Sequence, residues 1–153
     1  MLENPIVHIA FPIICAIIMN VIIYSFKWNV RTSEGKINNP LIPPGYIVGS
    51  VWIIIFGLLG YVHYLLYKQN NGVSFVSISV VCFFIFCLLY PVLTSGLSKQ
   101  NANMLNLLTL ILSFSLAIVL VKTLPSTFIY IIPLLLWASY VNITDAIQCS
   151  KLV

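Results

Sequence analysis

Two tryptophans lie deep inside long apolar stretches, and they are the side chains best placed to line a ligand pocket. Trp52 lies about two helical turns into the stretch 46–67, and Trp137 lies about ten residues into the stretch 127–146, roughly 15 Å deep by helix rise. Tryptophans of membrane proteins are enriched at the interface, whereas these two lie below it. A buried indole usually needs a partner for its N–H. We therefore expect both rings to face a helix-bundle interior, where they either pack structurally or line a ligand pocket.

Two histidines suggest a second kind of chemistry, the ligation of a metal. His8 is near the start of the first apolar stretch, and His63 is near the end of the second. Antiparallel helices would place both imidazoles at a similar depth, where they can hold a haem iron from opposite faces. Interfacial histidines that bond to headgroups or water are far commoner than such a site. We therefore predict no cofactor and no metal, with bis-histidine haem as the minor alternative.

Polar side chains gather at one end of the second and fifth apolar stretches. Ser139, Asn142 and Asp145 follow one another towards the end of the fifth stretch, and Tyr46 opens the second. Ionisable residues inside membrane spans usually face cavities, although solvation of a helix end explains Asp145 equally well. We interpret the group as the lining of a cavity that opens to the cytoplasm. The predicted ligand-binding residues are Trp52, Trp137, Tyr46, Pro44, Gly49, Ser139 and Asn142.

Sequence templates of common enzymes are missing from the chain. It contains no GxSxG, no HExxH and no phosphate loop, and its three acidic residues do not lie together. The four cysteines form no CxxC pair, and three of them lie in apolar runs, where a thiol behaves as a small hydrophobe. The net charge is +4, but the basic residues are scattered, so no nucleic-acid partner is expected.

The elements that must position these side chains are membrane-spanning helices. The chain has 153 residues, of which 61% are hydrophobic and only 7% charged, whereas about a quarter of a soluble domain is charged. The stretch 46–67 contains no Asp, Glu, Lys or Arg, and about 20 such residues cross the hydrocarbon of a bilayer. The sequence therefore predicts an all-α membrane protein, a five-transmembrane-helix bundle in the lipid bilayer. We expect one domain, 1–153, with spans at about 6–26, 46–67, 75–94, 104–121 and 127–146 and a long loop at 27–45.

The basic residues predict the orientation of the bundle, because cytoplasmic loops carry an excess of Lys and Arg. Two of the seven, Lys68 and Lys122, fall on one side of the membrane. The other five fall on the opposite side, namely Lys27, Arg31, Lys36, Lys99 and Lys151. The loop 27–45 and the C-terminus are therefore expected in the cytoplasm, with the N-terminus on the opposite side. The first ten residues contain no Lys or Arg, so we expect a retained span rather than a signal peptide.

Small residues predict how the second helix packs. Gly45, Gly49 and Gly57 lie near one stripe of that helix, with Gly60 beside it. Small residues at this spacing let another helix backbone approach closely, which drives helix association in lipid. Packing within the chain is the favoured interpretation, and the seam of a homodimer is the alternative.

The stretch 39–52, NPLIPPGYIVGSVW, resembles the loop and second-helix entrance of the translocator protein family, where the pattern reads like PPWTPPGWVFGPVW. The family is also called the peripheral benzodiazepine receptor or tryptophan-rich sensory protein family. The stretch 133–140, PLLLWASY, is similar to the family's PYLAWVSF. Five spans, a long first loop and a cytoplasmic C-terminus also fit, so the resemblance extends over nearly the whole chain.

The resemblance implies a five-helix bundle, often a homodimer, that binds tetrapyrroles such as protoporphyrin IX and, in animal members, cholesterol and benzodiazepine-type drugs. Its pocket would lie between the helices beneath the first loop. Trp52 and Trp137 match the two tryptophans that in the family face bound porphyrin and are linked with its light-dependent breakdown.

The chain also departs from the family's pattern. The third span reads CLLYP at 87–91, where the family commonly reads FLWSP, so that Leu89 replaces a tryptophan. Other departures are Phe86 for an asparagine, Tyr46 where tryptophan is common, and Asp145 where asparagine is usual. The C-terminal cholesterol motif of animal members is not reproduced, because the next basic residue after Tyr140 is Lys151. This argues against sterol binding.

The sequence thus predicts an integral membrane receptor for a porphyrin-type ligand, which the protein would transport or sense. One alternative is an enzyme-like activity, the light-dependent degradation of the bound porphyrin, which Trp52 and Trp137 would carry. Another is a small membrane transporter. The scarcity of charge in the spans and the lack of an inverted repeat argue against coupled transport.

Overall fold

The computed structural model describes residues 4–26, 41 and 43–150. Most of the predicted loop 27–45 lies outside the described residues, as do Lys27, Arg31, Lys36 and Lys151. Within these ranges, five α-helices follow one another in chain order, and a 3₁₀ turn, Pro125–Thr127, precedes the last. They are α1 (Pro5–Ser25), α2 (Gly45–Asn70), α3 (Phe75–Thr94), α4 (Lys99–Thr123) and α5 (Phe128–Ser150). All five are long and apolar enough to cross a membrane. The predicted all-α five-helix fold is confirmed.

Polar residues in the short connections begin and end the helices. The side chain of Asn4 accepts a hydrogen bond from the backbone N–H of Ile6 at 2.9 Å, which caps α1. Ser74 forms a capping box at the start of α3, and the Ser98 side chain caps α4. The left-handed Asn71, at φ 50°, ends α2. These groups satisfy backbone donors and acceptors that the helix itself leaves open.

The closest packing in the bundle is between α1 and α2. A Cβ atom added to Gly60 would lie 2.2 Å from the carbonyl oxygen of His8, and one added to Gly49 would lie 3.1 Å from Oδ1 of Asn20. Positions rise along α2 as they fall along α1, so the two helices are antiparallel. Glycines of α2 therefore serve packing within the chain, as the favoured interpretation of their spacing predicts.

The apolar core is built mainly from α2, α3, α4 and α5. Phe56 packs edge-on against Phe84, with ring centroids 4.9 Å apart. Leu66, Leu120 and Ile131 are fully buried between the helices. The outward faces also carry Ile, Leu, Val and Phe, and only 17% of the most apolar window of α1 is buried. Such a large exposed apolar surface requires lipid as its solvent.

Two hydrogen bonds identify which helix ends share one side of the bundle. The Tyr140 hydroxyl, in the second half of α5, donates to the backbone carbonyl of Leu41, just before α2. Nε2 of Gln69, near the end of α2, lies 3.4 Å from the carbonyl oxygen of Thr123, at the end of α4. The end at which α1 ends and α2 begins is called the first-loop end below, and α5 also ends there.

Candidate functional site

A small cavity lies between α1, α2 and α3, in the half of the bundle nearer the first-loop end. Its volume is about 50 Å³. Three helices line it: α1 contributes Asn20, α2 contributes Trp52 and Phe56, and α3 contributes Tyr90 and Pro91. None of the lining residues that the structure describes is charged. The described lining is therefore mostly apolar, and its strongest hydrogen-bonding groups are the amide of Asn20, the indole of Trp52 and the phenol of Tyr90.

The structure brings one of the two predicted tryptophans to this cavity. Trp52 is partly buried, lines the cavity and lies against Phe56, with ring centroids 5.3 Å apart. Trp137 is also partly buried and packs against the apolar core, but it does not line this cavity. Its ring stacks on that of Tyr140 at 5.7 Å and an interplanar angle of 29°. Both indoles are therefore held by the bundle, in two different surroundings.

The other predicted site residues do not line the cavity. Tyr46 is 66% exposed, and Pro44, the N-cap residue of α2, is exposed as well. Gly49 is partly buried and lies against the side chain of Asn20. Ser139 is partly buried on α5 and does not line the cavity.

Asn142 belongs to a polar network that joins α3, α4 and α5. The Tyr90 hydroxyl donates to Oδ1 of Asn106, and Nδ2 of Asn106 donates to Oδ2 of Asp145 at 2.5 Å. Nδ2 of Asn142 donates to the backbone carbonyls of Asn106 at 3.1 Å and Ala138 at 2.9 Å. Asp145 is partly buried and paired in this network, so solvation of a helix end does not account for it. Polar bonds of this kind link helices in lipid.

Sequence reasoning missed Asn106 and Asn20. Asn106 falls inside the predicted span 104–121, and Asn20 falls inside the predicted span 6–26. An amide placed in lipid needs a hydrogen-bond partner, so each asparagine was a signal that its side chain faces the bundle. Tyr90 was noted only within a motif, and the structure gives it two roles, since it lines the cavity and enters the network.

His8 and His63 do meet, at the end of the bundle opposite the first-loop end. Their Nδ1 atoms are 2.8 Å apart, which is a hydrogen bond in which one ring donates and the other accepts. Two nitrogens that ligate one iron atom from opposite faces are separated by about twice the ~2 Å length of a metal–imidazole bond, with the macrocycle between them. The bis-histidine haem alternative is therefore wrong for this geometry. No group of three or more His, Cys, Asp or Glu that could hold a metal occurs among the described residues.

One of three comparisons with known proteins gave a match, and it was to a protein family. Neither the curated proteins nor the solved structures gave a match. A sequence model described as the TspO/MBR family matches residues 8–146, a range that includes Trp52, Trp137 and most of each of the five helices. With five membrane-spanning helices, the protein is an integral multi-pass membrane protein. The chain belongs to the TspO/MBR family.

Proposed function

We propose that this protein is a membrane receptor for a flat, apolar ligand of the porphyrin class, such as protoporphyrin IX. The family supports a general role in binding small ligands at a membrane. The proposal of a porphyrin ligand rests on the position of Trp52, which follows the PPG motif at the start of α2 and lines the cavity between α1, α2 and α3.

The lining of the cavity suits a large aromatic ring. Trp52 and Phe56 present two neighbouring aromatic side chains, and aromatic pairs gain free energy beyond the burial of their surface. Ligand pockets are mostly apolar and contain a few polar groups that fix orientation, which is the composition found here. Trp137 lies on α5, a helix that contacts α2, and we propose its ring as a second contact. Ser139 on the same helix, and Tyr46 with Pro44 at the start of α2, would contact the ligand edge.

Binding of a porphyrin requires the cavity to widen. A volume of about 50 Å³ is well below the roughly 300–1,000 Å³ of pockets for drug-sized ligands. Among the three walls, α1 is the one that can move, because it packs chiefly on α2 and little of it is buried. A ligand would therefore enter by displacing the first-loop half of α1 from α3.

The test is a titration of purified protein with protoporphyrin IX, followed by absorbance and tryptophan fluorescence. Trp52→Phe is expected to weaken binding by roughly three- to tenfold, since it shrinks the ring and removes its N–H donor. Trp137→Phe, measured in parallel, reports whether the second indole also meets the ligand. The sequence has a third tryptophan, Trp28. Quenching that persists unchanged in the double variant would contradict the proposal, because the signal would then come from Trp28.

Light-dependent degradation of the bound porphyrin is the second candidate, and the same indole favours it. Excited porphyrin next to Trp52 would lose its Soret band under light and oxygen faster than free porphyrin does. Equal rates of bleaching for free and bound porphyrin would contradict this activity and leave the receptor proposal intact.

We also propose that the first-loop end faces the cytoplasm. Lys68 and Lys122 lie near the ends of α2 and α4, which share the opposite side of the bundle. The five remaining basic residues belong to the first-loop end by chain order. A green fluorescent protein fused to the C-terminus is expected to fluoresce, and an alkaline phosphatase fused there to be inactive. The reverse pattern would overturn this orientation.

A further inference from the structure

Asn20 is a partly buried amide that has no hydrogen-bond partner among the described residues. It lies on α1 and lines the cavity. A carboxamide carries two donors and an acceptor oxygen with two lone pairs. By contrast, Asn106 and Asn142, in the same membrane-spanning bundle, are bonded to neighbouring helices. An unpaired amide in apolar surroundings costs free energy, so Asn20 differs from these two in a way that helix packing does not explain.

The position of this amide relative to the cavity is fixed by Gly49. A Cβ atom at position 49 would lie 3.1 Å from Oδ1 and 3.2 Å from Nδ2 of Asn20. The amide therefore lies against the backbone of α2, in space that a larger residue would occupy. Trp52 is three residues further along α2, on the same face of the helix. The amide and the indole are thus presented together to the space between α1, α2 and α3.

The neutrality of the lining limits which group can pair with Asn20. Because no lining side chain in the described part of the chain is charged, an ionised carboxylate would lose its hydration without gaining a counter-charge from these residues. A group that carries a donor and an acceptor side by side, and no charge, avoids this loss. Carboxamides, lactams and protonated carboxyl groups have this form, and each can make two hydrogen bonds with a primary amide.

We propose that Asn20 is a ligand-binding residue that selects apolar ligands with a neutral edge made of one donor and one acceptor. The inference rests on the proposed function, since it specifies the chemistry of the same cavity. It requires that the edge of the ligand reaches the wall formed by α1 and α2 beside Trp52, in the half of the bundle nearer the first-loop end.

Three forms of protoporphyrin IX test this proposal: the diacid, its bis-amide and its dimethyl ester. The bis-amide keeps the donor and the acceptor, whereas the ester keeps only the acceptor. Wild-type protein is expected to bind the bis-amide roughly three- to tenfold more tightly than the ester, the usual value of one neutral hydrogen bond. The diacid is expected to bind more tightly as the pH falls and its carboxyl groups become protonated.

Variants then assign the preference to one side chain. Asn20→Leu keeps a similar volume without the amide, and it is expected to bind the bis-amide and the ester equally. Asn70→Leu is the matched control, because it removes an exposed amide at the other end of α2, and it should keep the preference. Thermal unfolding of each variant shows whether it is folded.

The outcomes separate this inference from the proposed function. If no form of the porphyrin binds to wild-type protein, the proposed function fails and the inference fails with it. If all forms bind but the wild type shows no preference for the bis-amide over the ester, only the inference is overturned, and this result needs no variant. The inference is also overturned if Asn20→Leu prefers the bis-amide over the ester as strongly as the wild type does.

Discussion

Replacement of Gly60 by alanine tests the closest contact in the bundle. The added Cβ atom would lie 2.2 Å from the carbonyl oxygen of His8, 3.0 Å from its carbonyl carbon and 3.1 Å from Cα of Ile9. All three are backbone atoms of α1, so no side-chain rotation can relieve the overlap. The two helices would have to separate by about 1 Å to restore an ordinary contact, in a bundle whose interior is close-packed.

The expected effect of Gly60→Ala is a net loss of stability. Overpacking of this kind costs about 1–3 kcal/mol, and separation of the helices also removes packing contacts that hold helices together in lipid. Alanine favours the helix over glycine by up to about 1 kcal/mol, which opposes the loss. We expect the free energy of unfolding to fall by about 1–2 kcal/mol and the His8–His63 contact, one turn away, to weaken.

The measurement is unfolding of the purified protein in mixed micelles as the fraction of denaturing detergent rises. Gly57→Ala is the matched control, because its Cβ atom would lie 3.1 Å from Cδ1 of Ile13, the flexible end of a side chain. Gly45→Ala is the second control, with only Tyr24 Oη at 3.9 Å. Both should be nearly neutral. A Gly60→Ala variant as stable as Gly57→Ala would refute the close approach of α1 to α2 at His8.

Two further predictions concern polar contacts between helices. Tyr90→Phe removes one hydrogen bond to Asn106 and is expected to lower the free energy of unfolding by about 0.5–1.5 kcal/mol. Asn106→Leu removes this partner from both Tyr90 and Asp145 and is expected to lower it further. The same detergent titration measures both variants, and equal losses of stability would contradict the network. The His8–His63 contact is expected to show a coupling energy of about 0.5–1 kcal/mol in a double-mutant cycle with phenylalanine at each position, and a coupling near zero would show that the rings do not bond.

The five helices were predictable because lipid imposes a strict rule on sequence. Uncharged runs of about 20 residues are helices there, since every backbone group must be paired internally. The ends of the helices follow a different rule and were harder to predict from the sequence. The helix α4 begins at Lys99, five residues before the predicted span, because Ser98 caps it and its first turn is polar. Backbone hydrogen bonding continues beyond the apolar residues. An apolar stretch therefore gives the bounds of the membrane span and not those of the helix.

The site was predictable only in part, because the direction of one side chain depends on packing between helices. The depth of Trp52 correctly indicated the bundle interior, and the structure adds that it lines a cavity. Trp137 satisfies the same depth argument and yet stacks on Tyr140 outside that cavity. Asn20 indicated that its own face of α1 turns towards the bundle, but the surrounding residues of α1 are apolar and did not indicate which helix that face meets. Which face of α1 meets α2 is decided by the glycines of α2, a relation between two distant segments.

Two departures from the family's pattern meet at one residue. Tyr90 stands where the resembling motif has a serine, and Asp145 stands where asparagine is usual. In the structure both bond to the side chain of Asn106, one to its oxygen and one to its nitrogen. A serine is too short to reach as far as a tyrosine does, so the longer side chain of Tyr90 is what joins α3 to this amide. The hydrogen bonds given above join α3, α4 and α5, and none of them involves a described residue of α1. If a ligand enters as proposed, α1, which carries Asn20, is the wall that this network does not hold against α3.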